Sequence, residues 1–311
     1  MSPTGSVRST YKAKDTEEFL DVIFYRPFGY VMALGARSLS LTPNQVTIIS
    51  ILVGVAAGHF FYYDRLALNL YGFVLLVLAE AMDSADGQLA RMTNTKSQTG
   101  RILDGLSTGL WFFSIYLHLY FRMIHAGDSP FVLILIAISV ISHSLQSAYA
   151  DYFRNSYLMF VHGKSKSEID DSRRLKEESR SGEWRKSLAR RFLMWIYIHY
   201  TVEQEMFSKN LRKLHQLTKD RFLENIPEPF SAMYRALNQP LVKYFNILTT
   251  NTRMIFLFVA LIIRRPLLYF LFELTVLNIL LVAVVLKHEK NSRMIYARAL
   301  ELSAAENEER G

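Results

Sequence analysis

Leu66-Ala-Leu-Asn-Leu-Tyr-Gly-Phe-Val-Leu-Leu-Val-Leu-Ala-Glu80-Ala-Met82 carries one charge in seventeen residues, at its far end. A bilayer core about 30 Å thick is crossed by roughly 20 apolar residues wound as helix, and this run meets that need. Five further runs approach the same length. Gln45 to Tyr63 holds one His and no charge, and Ile102 to Phe121 opens beside Asp104. Phe131 to Tyr152 turns polar in its last third. Met254 to Ile263 is long enough only if carried back to Phe245, and Leu267 to Leu286 contains Glu273 and Asn278. The pattern predicts an all-α integral membrane protein with about six transmembrane helices, because in lipid a helix satisfies its own backbone.

The composition agrees. Half of the 311 residues are apolar, with 21 Phe and 17 Tyr, yet 21% are charged. Both hold when the charges lie between apolar blocks. Cys is absent and Pro and Gly are modest, which excludes a disulfide scaffold, thiolate metal sites, collagen and disorder. The formal charge of +8, from 36 basic and 28 acidic residues, suits nucleic acid or an anionic membrane surface. The apolar blocks decide for the membrane, with no nucleic-acid partner.

Five regions are expected: a cytoplasmic N-terminus with an interfacial helix (1–44), a four-span core (45–160), a charged cytoplasmic or interfacial insertion (161–250), two last spans (251–287) and a cytoplasmic tail (288–311). Met1 to Lys14 has no apolar signal-peptide core. From Thr16 to Leu39, Phe19, Ile23, Pro27, Tyr30 and Leu34 recur at helical spacing and predict an amphipathic surface helix beginning at Thr16-Glu-Glu. In the insertion, Arg191-Phe-Leu-Met-Trp-Ile-Tyr-Ile-His-Tyr is apolar for about ten residues, too short to span, and predicts an interfacial or re-entrant helix. Lys and Arg gather before Gln45, in 91–101, in 154–253 and after Lys287. The opposite loops show only Arg65, Arg122, Arg264 and Arg265. The positive-inside rule places both termini and the insertion in the cytoplasm, as in a bacterial inner membrane.

The chemistry concentrates in Asp83-Ser-Ala-Asp86-Gly87-Gln-Leu-Ala90-Arg91, followed by Gly100-Arg-Ile-Leu-Asp104. Asp83 and Asp86 are three apart and share a helix face, and a short hairpin brings Asp104 to them. Intramembrane acids are costly and default to function. Gly87 and Gly100 allow close backbone or ligand approach. Carboxylates without His or Cys make a hard-oxygen site for Mg²⁺, Mn²⁺ or Ca²⁺, and Arg91 beside them suggests a diphosphate.

At these residues the chain resembles the CDP-alcohol phosphatidyltransferase family, whose signature is D-x2-D-G-x2-A-R-x8-G-x3-D-x3-D. Asp83, Asp86, Gly87, Ala90, Arg91, Gly100 and Asp104 match at every spacing, and Thr42-Pro-Asn-Gln-Val-Thr47 resembles the family's entry into the first span. The resemblance implies a homodimeric membrane phosphotransferase of phospholipid synthesis. Such an enzyme passes a substituted phosphate from a CDP-linked lipid or alcohol to an alcohol acceptor and releases CMP. It implies two Mg²⁺ or Mn²⁺ ions on Asp83, Asp86 and Asp104. It also implies a nucleotide pocket of Asn44, Asp83, Gly87, Ala90, Arg91 and Gly100, with the general base at the signature's fourth aspartate.

That fourth position is Thr108. Thr is neutral and no base near pH 7, and its presence predicts a weak second metal site. Three readings stay open: a base from elsewhere (Glu80, one turn before Asp83, or His143 or Asp151), a different donor with head-group transfer from a phospholipid to a sphingolipid alcohol, or a catalytically weakened member. For the acceptor, the basic and hydroxyl-rich surroundings of Arg101, Asp151 and Arg154 favour inositol or inositol phosphate. Glu273 with Asn278 is expected to be a helix-packing contact, and Arg190-Arg191 an anchor to anionic lipid heads.

Overall fold

The computed structural model describes residues 13, 15–163, 167, 169–180, 184, 186–206, 208–222 and 226–308. Met1 to Lys12, Lys14 and parts of the charged stretch 164–191 lie outside them. All regular structure among the described residues is helical. Six helical segments are long and apolar enough to cross a membrane: 43–60, 66–93, 98–125, 132–162, 228–262 and 266–300. This is an all-α membrane protein, as the hydropathy pattern requires.

The chain divides into two compact units. The first comprises residues 17–144 and 250–275. A π-helical turn, Asp21–Tyr25, leads into α1 (Arg26–Ser38), followed by α2 (Pro43–Phe60), α3 (Leu66–Thr93) and α4 (Gln98–His125). The start of α5 (Val132–Tyr157), then α10 (Thr250–Ile262) and α11 (Pro266–Phe272), complete it.

Local chemistry sets these boundaries. Thr42 opens α2 with a reciprocal cap: its hydroxyl accepts from Gln45 N at 3.3 Å, and Gln45 Oε1 accepts from Thr42 N at 2.8 Å. Pro43 at the first helical position suits this start. The α3–α4 hairpin ends α3 with Asn94 in the left-handed region (φ 52°) and opens α4 with Ser97 Oγ accepting from Gly100 N at 3.0 Å. Helix α2 then packs on α4 through small residues. A Cβ on Gly54 would lie 2.2 Å from the Trp111 ring, so only glycine fits there.

At the N-terminus the helix begins at Phe19, three residues later than expected. Thr16 is held in a turn instead, its hydroxyl donating to the Ala13 carbonyl at 3.1 Å.

The second unit comprises residues 13–16, 145–249 and 276 onward. It contains the end of α5 and the π-helical turn Leu158–His162, then α6 (Ser172–Ser179), α7 (Leu188–Met206), α8 (Lys209–Arg221), α9 (Glu228–Ile247) and α12 (Asn278–Glu308). The apolar run after Arg191 lies within a nineteen-residue helix, longer than its ten apolar residues suggest. The fifth apolar segment, short in sequence, is built from α9 and α10, which meet at Leu248-Thr249.

Candidate active site

Helix α3 presents Asp83 and Asp86 one turn apart, and α4 presents Asp104 after the hairpin. Their carboxylate oxygens lie within 4.8 Å of one another. Two hydroxyls orient them. Thr47, in the first turns of α2, donates to Asp86 Oδ2, and Ser107 donates to Asp83 Oδ1 at 2.6 Å. Thr47 and Ser107 went unread in the sequence, because a hydroxyl inside an apolar helix usually bonds its own backbone. Ser107 does so as well, 2.7 Å from the Asp104 carbonyl. The only signal was Thr47's place at the end of the Thr42-Pro-Asn-Gln-Val-Thr47 stretch.

Asp86 is buried, Asp83 half-buried and Asp104 exposed. Three carboxylates this close repel one another unless a cation or protons lie between them. The donor set is oxygen alone, which fits Mg²⁺ or Mn²⁺.

The remaining expected site residues of the first unit lie on the same helices, α2, α3 and α4. Gly100 faces Asn44: a Cβ there would lie 2.8 Å from Asn44 Oδ1, so glycine lets α2 and α4 close on each other. The Arg91 guanidinium lies over Gly87, 3.5 Å from where a Cβ would stand. Ala90 carries the carbonyl that accepts from Asn94 N and closes α3. Arg101 follows Gly100 in the first turn of α4. Thr108 is half-buried one turn beyond Asp104.

Glu80 lies one turn before Asp83 and within electrostatic reach of Asp83 and Asp104. Its Oε2 is buried with no hydrogen-bond donor among the described residues. His143 is elsewhere. Its Nδ1 is 2.9 Å from the Tyr116 hydroxyl and 3.2 Å from Glu273 Oε1. Tyr116 is twelve residues beyond Asp104 on α4, about 18 Å at 1.5 Å per residue. Glu273 also takes Arg253 Nε at 3.3 Å, and both side chains are fully buried. In the second unit, Asn278 Oδ1 accepts instead from Gln146 Nε2 at 2.8 Å.

Asp151 and Arg154 belong to the second unit. Asp151 accepts from Arg154 at 3.3 Å, from Asn155 Nδ2 at 3.0 Å and from Gln204 Nε2 at 3.0 Å. It thereby ties α5 to α7. Nearby Tyr200 has its ionisation pushed up, first by burial and then by the Asp151 charge.

Residues 40–164, which hold the aspartate motif, match the CDP-alcohol phosphatidyltransferase family model. An archaetidylinositol phosphate synthase of Pyrococcus horikoshii is 37% identical over 67 residues, which is 22% of this chain and 34% of that relative. The match thus spans about a third of the relative's length. No solved structure matches the chain.

Proposed function

We propose that the protein is a membrane phosphotransferase of phospholipid synthesis, moving a substituted phosphate from a CDP-linked lipid or alcohol to an alcohol acceptor. The observation that carries this reading is the Asp83–Asp86–Asp104 cluster, its oxygens within 4.8 Å, inside the segment that matches the family. Mg²⁺ or Mn²⁺ held by these carboxylates would neutralise the donor's diphosphate and leave its phosphorus open to attack. Asn44, Gly87, Ala90, Arg91 and Gly100 border the nucleotide side. The acceptor oxygen forms a new bond to the phosphorus, the bond from that phosphorus to the bridging oxygen of CMP breaks, and CMP leaves. Glu80 takes the acceptor's proton. Its Oε2, beside the cluster, has no donor among the described residues, whereas His143 is bound to Tyr116 and Glu273 far along α4.

The name of the Pyrococcus relative supports inositol or its phosphate as acceptor; Arg101, in the first turn of α4, is a first-unit candidate for contacting it, while Asp151 and Arg154, the other candidates, belong to the second unit. In this reading the protein works as a homodimer in a membrane, with its site on the cytoplasmic side. Thr108 favours a second reading, a family member that binds CDP without rapid turnover or that transfers a head group from a phospholipid to a sphingolipid alcohol.

Purified full-length protein with a CDP-linked diacylglycerol and Mg²⁺ or Mn²⁺ should release CMP on addition of acceptor. Asp83→Asn, Asp86→Asn and Asp104→Asn should each abolish that release and the thermal stabilisation given by CDP with Mg²⁺. Stabilisation retained in all three variants would refute the site. Stabilisation of the wild type without CMP release would select the second reading.

A further inference from the structure

Beside the aspartate cluster, a second group of oxygen acceptors converges from three parts of the first unit. Glu18 and Asp21 come from the segment before α1, Glu80 from α3 and Asn251 from the first turn of α10. Asn251 Nδ2 donates to Glu18 Oε2 at 2.7 Å and to Asp21 Oδ1 at 3.0 Å. Glu80 is within electrostatic reach of Glu18, Asp21, Asp83 and Asp104. Tyr25 borders the same place: burial and then the charges of Glu80, Asp21 and Glu18 push its ionisation up. Arg26, the neighbouring cation, is taken by Glu17 at 2.9 Å.

Two atoms here lack what their chemistry requires. Asn251 is 5% exposed, and its Oδ1 is buried with no donor among the described residues. Glu80 Oε2 is in the same state. A buried acceptor without a donor costs about 1–3 kcal/mol, and native folds leave few such atoms without a water, ion or ligand. A bare metal ion does not suit the group. Among the described residues only Asp83, Asp86 and Asp104 bring three ligand atoms within 4.8 Å, so Glu18, Asp21 and Glu80 stand too far apart to share one. A molecule with several spaced donors does suit it.

We infer that Glu18, Asp21, Glu80 and Asn251 form the acceptor subsite, and that it takes an alcohol carrying several hydrogen-bond donors and no negative charge, while rejecting phosphorylated alcohols. The inference rests on the phosphotransfer reading, since the subsite adjoins the aspartates through Glu80. The donors are either the hydroxyls of a polyol or the ammonium of an amino alcohol. Both answer the same acceptors, whereas a phosphate would be repelled by the three carboxylate charges. Glu18, Asp21 and Asn251 all lie outside the 40–164 family match, so that match alone does not locate them.

The experiment is CMP release by the full-length protein with a CDP lipid and Mg²⁺, using myo-inositol, inositol 1-phosphate, ethanolamine and phosphoethanolamine as acceptors. The unphosphorylated member of one pair should be used with kcat/KM at least about tenfold above its phosphorylated partner. Asp21→Asn and Asn251→Ala should raise the KM for that acceptor about tenfold, the loss of one or two hydrogen bonds, with the KM for the CDP lipid within twofold. The inositol and ethanolamine arms show which donor type the subsite reads. Preference for a phosphorylated acceptor, or an acceptor KM indifferent to both variants, overturns the inference. If no acceptor releases CMP, the phosphotransfer reading has failed. The subsite is then judged by thermal stabilisation with myo-inositol or ethanolamine: a shift that Asp21→Asn removes upholds it, and no shift overturns it.

Discussion

At the scale of single residues, the question is which group takes the proton that an aspartate at position 108 would take. Thr108 and Glu80 stand on different helices, each one turn from an aspartate of the cluster. Only Glu80 has the chemistry of a base. Glu80→Gln should therefore lower CMP release by about 10²–10⁴-fold, the usual contribution of a positioned base, while leaving stabilisation by CDP with Mg²⁺ intact. Thr108→Asp should leave turnover unchanged or reduce it, because another carboxylate joins a crowded anionic centre. A gain of two or more decades in Thr108→Asp would show that the base was simply lost and that Glu80 does not replace it. The aspartates were legible in the sequence because fixed spacing puts them on adjoining helix ends. Glu18, Asp21 and Asn251 were not, since some 230 residues separate Asn251 from its two acids and no periodicity links them.

At the scale of helices, hydropathy located the spans well because burial in lipid leaves a dense apolar record. It set their ends less well. Caps at Thr42, Asn94 and Ser97 decide those, and α3 and α4 each run to 28 residues, past the apolar stretches. The contact between α2 and α4 depends on Gly54. Gly54→Ala would set a methyl group 2.2 Å from Trp111, so the helices must part. The thermal midpoint in detergent should drop, and stabilisation by CDP should weaken because Thr47 rides on the same helix. An unchanged midpoint would mean that the Trp111 ring turns aside freely. In the second unit, α8 carries His215, stacked on Phe160 with ring centres 4.7 Å apart and 3.0 Å from Ser156 Oγ. Tyr152 and His288 lie around it. Burial holds its pKa down at about 3, against about 6.5 when unfolded. Between those values the unfolded chain binds the extra proton, so His215 supports the fold fully above pH 6.5 and progressively loses that support as pH falls towards 3. His215→Gln should flatten the fall of the thermal midpoint between pH 6.5 and 4. An equally steep fall in that variant would assign the acid sensitivity to other groups.

At the scale of the whole molecule, orientation follows from how Lys and Arg are shared between the loops of the two sides. The loops opposite the aspartates hold Arg65, Arg122, Arg264 and Arg265, and two of these answer to one acid. Arg122 Nη2 donates to Asp64 Oδ1 at 2.5 Å and its Nη1 to the Phe61 carbonyl at 3.2 Å, while Arg264 Nε stands 3.8 Å from Asp64. So few basic residues on that side, against the many before Gln45, in 91–101 and after Lys287, favour a cytoplasmic location for the aspartate end. The natural sequence has no cysteine, so single thiols report sidedness without a background. Lys96→Cys lies in the α3–α4 hairpin at the aspartate end, and Asp128→Cys in the loop after α4; both positions are exposed. With a membrane-impermeant maleimide, Asp128→Cys should label in intact cells and Lys96→Cys only after permeabilisation. The reverse pattern would turn the molecule over and expose its site to the compartment outside, where no CDP-linked donor is made. The phosphotransfer reading therefore depends on this result as much as on any aspartate.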